Sequence, residues 1–343
     1  MNVLVTGGAG FIGSWVTQHL LSADPKTLPD AADINVVVID NLSNSHMDNL
    51  KEVMNHPRFL GLYPVDLADR DVLEWIFSEY EFELCYHLAA SISVQKSIDD
   101  PYRTFLVDIT ATANLLEECR KHNTRLVFVS TCMVYAPADD GPIDERHPVQ
   151  CSSPYAASKL AAEKLVESYN HAYGLWTVTL RPFNTYGPKQ GFGSEGGVIA
   201  RFLWQRLSGK PITVFGDGKQ MRDFMYVADC ARFIVIAGFK PDINGLTINA
   251  GSGKAISIDE LARLIAPSED EIRYVKHPHP RSEKRSLVCD YSLARKLLDW
   301  TPTVDLEAGL MLTESWLQHS LMCTEDRGGT GIATVGRAQQ PGA

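Results

Sequence analysis

The start of the chain limits its fold more than any other feature. An apolar run from Asn2 to Thr6 passes directly into Gly7-Gly8-Ala9-Gly10-Phe11-Ile12-Gly13 and then into a segment of helical period over 11–22. Glycines at 7, 10 and 13 allow a tight turn and let main-chain N–H groups approach a pyrophosphate. The helix that follows presents its positive end to that charge. A strand, a glycine turn and a helix in this order predict the opening βαβ unit of a dinucleotide-binding domain. Phe11 and Ile12 belong to the same cofactor cradle.

The pattern continues along the first half. Short β-branched runs near 35–39, 58–62, 83–87, 125–129 and 176–180 alternate with helical periods at 69–79, 101–122 and 153–173, and Pro101 and Pro154 mark two helix starts. This is the order of an α/β chain with a Rossmann-type, doubly wound parallel sheet. After residue 181 the connections become rich in Gly and Pro around helices expected at 196–208, 228–238, 257–266, 291–298 and 305–319. The expected organisation is a cofactor domain over 1–181 and a smaller C-terminal substrate-binding lobe over 182–320, with the chain free to recross between them. The Gly-rich stretch 324–343 has no hydrophobic period and reads as a disordered tail.

Charge narrows the partners. With 42 acidic against 32 basic residues and a net charge of -10, non-specific attraction to nucleic acid or to anionic lipid is excluded. No apolar run reaches the roughly 18 residues of a membrane span. No secretory leader precedes the first strand, so a cytoplasmic protein is expected. The seven cysteines form no CxxC and no Cys/His cluster at metal-ligand spacing, so they read as free thiols with no metal site.

The second strand ends in Asp40, placed to accept hydrogen bonds from both ribose hydroxyls of an adenosine and to repel a 2′-phosphate, which favours NAD over NADP. The polar stretch Ala23 to Asp33 reads as a loop insertion that lengthens the spacing from Gly13 to Asp40. Asp66, after the third strand, either receives the adenine amino group or caps a helix. Further on, Tyr155 and Lys159 lie one helical turn apart on the same face. A lysine there lowers the phenol's pKa and a cationic nicotinamide lowers it further, so the pair can act as a base near neutrality, beside Thr131 at the end of the fifth strand.

These residues lie in an ordered set of motifs: TGGAGFIG at 6–13, Asp40-Asn41-Leu42, Asp66-Leu67, HLAA at 87–90, Ser130-Thr131, YAASK at 155–159, RPFNTYGP at 181–188, GDGKQMRDFMYV at 216–227 and NAGSG at 249–253. In them the chain resembles the extended short-chain dehydrogenase/reductase family, and within it the nucleotide-sugar epimerases and dehydratases, over residues 1 to 319. The resemblance implies that Tyr155 takes the proton of a sugar hydroxyl, Lys159 holds the nicotinamide ribose, and Thr131 bonds the same sugar oxygen while NAD accepts the hydride from carbon 4. It adds Asn41, Asp66, Leu67, Leu88, Ala89 and Ala90 to the cofactor contacts. It sets the substrate's diphosphate against Asn184, Arg222 and Arg281, and implies a homodimer built on helices 101–122 and 153–173. Phe105, Ile109, Leu116, Leu160 and Leu165 either serve that interface or face the sheet.

The two residues after Thr131 separate the branches of that family. Its 4,6-dehydratases carry Asp-Glu there, whereas this chain has Cys132-Met133, and methionine cannot transfer a proton. By elimination the expected activity is a nucleotide-diphospho-sugar 4-epimerase working through a 4-keto sugar. The alternative is a dehydratase in which Cys132 replaces the acidic residue, with Glu195 as a conceivable second carboxylate. Two further departures are Asp108 where the family more often has Asn, and Ala136-Pro137 in place of a glycine beside Tyr135. Leu287 aligns with the position that gates bulky groups on the sugar.

Overall fold

Val3, Leu4 and Val5 are all fully buried although successive side chains of a strand point to opposite faces. Both faces of that sheet are therefore covered, which is why its strands read as unbroken apolar runs. The computed structural model describes residues 1–22, 34–138, 141–192, 197–280 and 283–325. The Ala23 to Asp33 insertion, Arg281, Glu195 and the tail beyond 325 lie outside the described residues.

The first half runs β1 (Asn2–Thr6), α1 (Phe11–Ser22), β2 (Asn35–Ile39), β3 (Phe59–Tyr63), α2 (Arg70–Glu79), β4 (Phe82–His87), α3 (Val94–Asp99), α4 (Pro101–Phe105), α5 (Ala111–His122), β5 (Arg125–Val129), α6 (Pro154–Tyr173) and β6 (Thr177–Pro182). The second half adds β7 (Asn184–Tyr186), α7 (Val198–Leu207), β8 (Ile212–Phe215), β9 (Met221–Tyr226), α8 (Val227–Gly238), β10 (Thr247–Ala250), β11 (Ala255–Ser257), α9 (Ile258–Ile265), β12 (Ile272–Val275), β13 (Ser286–Leu287), α10 (Ser292–Leu298) and α11 (Leu306–Glu325).

Seven parallel strands form the large sheet in the order β10-β6-β5-β4-β1-β2-β3, so the fold is Rossmann-type and doubly wound. The chain leaves β1 in one direction through β2 and β3 and in the other through β4, β5 and β6. The crevice at the carboxyl ends of β1 and β4 is therefore the topological switch point, where sheets of this kind bind ligands. The smaller lobe holds a sheet of β11, β9 and β13 with β7 on β9, and the β12–β8 pair. Its strands do not follow a single cut at residue 181. β10 pairs with β6, and Cys230, Phe233 and Ile234 of α8 pack in the same core as Val3 and Leu20, so the chain crosses back into the first body before completing the second lobe.

Two local departures from the expected elements matter for the site. The segment 101–122 is one helical path broken by a π-helical turn at Leu106–Thr110, and this turn holds the buried Asp108 against α6. The last helix runs to Glu325, past the expected end at 319. Of the positions read as facing either a partner or the sheet, Leu116 is fully buried in the core, Leu165 packs against that core, and Leu160 packs against the cluster around Cys132. Helix α6 begins where Pro154 occupies its first turn and Ser153 accepts from the Ala156 N–H, and it ends on Gly174 at φ 67°. These two ends fix the register of Tyr155 and Lys159. Among the described residues no helix is long and apolar enough to cross a membrane.

Candidate active site

The glycine turn is required by its neighbours. Gly7 has φ +69°, and a Cβ on it would lie 2.7 Å from the Ala89 nitrogen, so the turn rests directly on the Leu88-Ala89-Ala90 segment that follows β4. A Cβ on Gly13 would lie 2.1 Å from the Gly7 oxygen, which forces the start of α1 against the turn. The first amides of α1, at Phe11 and Ile12, have no intrahelical acceptor and point their charge at the crevice. Gly8, not singled out by spacing, is equally tight, at 2.7 Å from Val38. This cradle has the shape that a pyrophosphate needs.

Asp40 is buried at the end of β2. Its Oδ2 accepts from Ala9 N–H at 3.0 Å, and its Oδ1 accepts from Leu42 N–H at 3.0 Å and Ser45 Oγ–H at 2.7 Å. A carboxylate has about four acceptor directions. Three are used to shape the loop, which fixes the carboxylate at the carboxyl end of β2. Asp66 accepts from the side-chain amide of Asn41 at 2.9 Å and from Ala68 N–H at 2.9 Å. The cap of α2 is Asp69, so Asp66 is free of that structural role. Leu67 is buried, and its carbonyl accepts from Asn114 at 3.0 Å.

The expected Thr131, Tyr155 and Lys159 lie on and between β5 and α6. Thr131 follows β5 by two residues and accepts from Met133 N–H at 3.2 Å, and the half-buried Tyr155 stands in the first turn of α6. Burial holds the phenol's pKa above its ordinary value. The Thr131 hydroxyl pulls it down, while Asp108 and Cys132 push it up. Lys159 is itself buried, with its ammonium 4.4 Å from the centre of the Phe128 ring; burial lowers its pKa and the carboxylates of Asp108 and Glu163 raise it. Asp108 accepts from Ser158 Oγ–H at 2.5 Å and from Ser91 N–H at 2.7 Å. One turn beyond Lys159, Glu163 forms a buried two-point ion pair with Arg181 at 2.9 and 2.5 Å.

A third layer comes from the smaller lobe. Asn184 donates to the Asp223 carbonyl at 3.1 Å. Arg222 donates to the carbonyls of Met221 at 2.8 Å and Lys284 at 2.9 Å, and its other terminal nitrogen is paired with Glu283, which also meets His277 at 2.8 Å. Cys132 is 3 % exposed and packs with Tyr135, Phe183, Leu287 and Cys289; burial pushes its thiol up to about 12 despite the nearby charges of Arg222 and Lys284. It holds its proton at neutral pH. Sequence reasoning missed Asp223, whose saturated carboxylate accepts from Ser252, Gly253 and Cys289, and it missed Glu283 and Lys284. Asp223 was detectable as one of the two acidic residues, with Asp217, within the GDGKQMRDFMYV motif. The other two had no sequence signal.

The model of the family described as "NAD dependent epimerase/dehydratase family" matches residues 3–251. A UDP-glucose 4-epimerase of Mycolicibacterium smegmatis is 35% identical over 93% of this chain and 99% of its own length. Among solved structures, Pal from Bacillus thuringiensis is 46% identical with a TM-score of 0.88, covering 93% of this chain and 100% of that one. The dTDP-glucose 4,6-dehydratase DesIV from Streptomyces venezuelae, solved with NAD and TYD bound, is 28% identical with a TM-score of 0.87 over 94% of this chain and 98% of that one. The chain belongs to the NAD-dependent epimerase/dehydratase family.

Proposed function

We propose that this chain is a nucleotide-diphospho-sugar 4-epimerase. The observation that carries this reading is the buried Lys159 one helical turn from the half-buried Tyr155 on α6, with Thr131 near enough to influence the phenol's acidity, in a chain whose first strand and helix are joined by the tight glycine turn at Gly7–Gly13. Bound in that cradle, with Asp40 on a ribose hydroxyl and Lys159 on the nicotinamide side, NAD+ supplies the acceptor and then the donor of the carbon-4 hydride. Tyr155 takes the proton of the sugar's 4-hydroxyl, and Thr131 bonds the same oxygen. Asn184 and Arg222 hold the diphosphate, so the sugar can turn over between the two half-reactions while its nucleotide stays anchored. Tyr155 then returns the proton, and the overall redox change is zero.

The pair Cys132-Met133, where the family's 4,6-dehydratases carry Asp-Glu, supports epimerisation over elimination. Met133 cannot carry a proton, and Cys132 holds its own up to about 12. The dehydratase reading rests on the same thiol: Cys132 is close enough to Tyr155 for their charges to interact, and a protonated thiol can donate to a departing 6-hydroxyl. A homodimer through α4, α5 and α6 is supported by the exposure of Tyr102 at 71% and Tyr173 at 58%.

Proton NMR in heavy water separates the readings. The protein is incubated with UDP-, dTDP-, GDP- and CDP-hexoses and UDP-glucuronate. The expected result is a 4-epimer with its carbon-5 proton intact. A 6-methyl or exocyclic alkene signal, or deuterium at carbon 5, would establish elimination instead. Cys132→Ala is expected to keep turnover within about threefold, because a wall residue contributes packing only; a loss of about 100-fold or more would make the thiol a proton carrier.

A further inference from the structure

Lys284 is 1 % exposed, yet it bears an ammonium. Its Nζ donates to the carbonyl oxygens of Met133 at 2.7 Å, of Tyr135, and of Gln150 at 3.4 Å. The three N–H directions are thus spent on main-chain carbonyls, and among the described residues no carboxylate forms an ion pair with it. A buried ammonium without a counter-charge is costly, and an apolar side chain of similar length would fill the same space without that cost. Its role is therefore to be sought in what it holds.

Two of the acceptors, Met133 and Tyr135, lie within and at the end of the short turn Cys132–Val134, whose cap is Thr131, and the third, Gln150, lies on the segment that returns behind it. Gln150 N–H donates to the Val134 carbonyl at 2.8 Å, so the ammonium fastens this turn to the returning segment behind it. The main chain of Lys284 faces the other way. Its carbonyl accepts from Arg222, and β13 just beyond it pairs with β9 at Met221 and Arg222. Its neighbour Glu283 occupies the Arg222 guanidinium, so an anion that takes Glu283's place acts on the residue adjoining Lys284. One residue thus joins Arg222 through its backbone and the Thr131 turn through its side chain.

We infer that Lys284 is a positioning residue that couples occupation of the diphosphate grip at Arg222 to the placement of Thr131 and hence of Tyr155. This rests on the diphosphate reading above. It gives the molecule a way to turn binding energy from the remote half of its substrate into order at the reacting carbon.

Amide hydrogen exchange tests the coupling without chemistry. UDP, dTDP and GDP serve as probes on the full-length, NAD-loaded protein. In the parent, saturating nucleoside diphosphate is expected to slow exchange across residues 131–136 by about threefold or more, as tightening of a locally opening segment does. In Lys284→Met the diphosphate still binds, but this protection is lost. Equal protection in parent and variant, or no binding of any diphosphate to the parent, overturns the proposal. With a substrate identified, Lys284→Met is expected to lower kcat about tenfold with KM within about threefold, the signature of an interaction lost in the transition state. In Lys284→Ala, added ethylammonium is expected to restore part of kcat where 1-propanol does not. Equal rescue by the alcohol, or loss of NAD binding in both variants, makes the lysine a packing or folding residue and rejects the inference. A parent that protects 131–136 but turns over no nucleotide sugar rejects the epimerase reading and leaves the coupling standing.

Discussion

Tyr155→Phe is expected to bind NAD as the parent does and to lose about 100- to 10,000-fold in turnover of its nucleotide sugar, the range that positioned acid-base groups contribute. The substitution removes one oxygen and keeps the ring. Thr131 retains its bond from the Met133 N–H, and Lys159 keeps its place over Phe128, so nothing in the surrounding packing is asked to move. The cradle at Gly7, Gly10 and Gly13 is formed by other elements and is untouched. What disappears is the atom that accepts the sugar's proton. The measurement pairs calorimetry of NAD binding with the absorbance of reduced nicotinamide when substrate is added; near-normal turnover with a phenyl ring would reject Tyr155 as the base.

Because Tyr155 carries a phenol that burial makes less acidic, its work depends on groups that favour the phenolate. Among its protein neighbours Thr131 favours the phenolate, against burial, Asp108 and Cys132. A positive nicotinamide ring beside the phenol acts in the same direction as Thr131. In the proposed epimerisation, proton abstraction by Tyr155 would thus be favoured while the cofactor is oxidised.

The parallel strands of the large sheet were legible because burial on both faces makes each a continuous apolar run, and the Tyr155–Lys159 pair because helical spacing puts it on one face. The π-helical turn at 106–110 was not legible. Its cause is tertiary: the Asp108 carboxylate reaches Ser158 on another helix, and no local period announces that bond. The return of α8 and β10 to the first body was open in the sequence for a similar reason, since the partners that decide it are remote along the chain: Val3 and Leu20 for α8, and β6, on the far side of the smaller lobe's first elements, for β10. Lys284 lies in the run Glu283-Lys284-Arg285, which by composition reads as solvated surface. Only the three-dimensional meeting with the Cys132–Val134 turn reveals it as buried. Asp40 stands at the end of the second strand as its position implied, but the bonds from Ala9, Leu42 and Ser45 that orient its carboxylate come from the folded loop around it.

Gly13→Ala is expected to abolish useful NAD affinity. The added Cβ would stand 2.1 Å from the Gly7 oxygen, 2.8 Å from the Gly7 carbonyl carbon and 2.9 Å from the Gly8 Cα. All three are main-chain atoms, so no side chain can swing aside. The turn cannot retreat either, because Gly7 is fixed by its N–H bond to the Ile39 carbonyl at 2.7 Å and lies against Ala89. Relief must come from a shift of α1 away from the turn. Overpacking of this kind costs about 1–3 kcal/mol of stability, which a thermal melt detects. The same shift moves the amides of Phe11 and Ile12 off the pyrophosphate. A hydrogen bond to a charged group contributes about 1.5–3 kcal/mol, so the loss of two weakens NAD binding by about 100-fold or more. Gly191→Ala is the control, since a Cβ there meets nothing within 4 Å and leaves affinity unchanged. Calorimetric titration of both variants with NAD decides the matter: a Gly13→Ala protein that binds NAD within about threefold of the parent would show that the turn does not cradle the pyrophosphate, since a shifted amide cannot keep its charge-assisted bond at full strength.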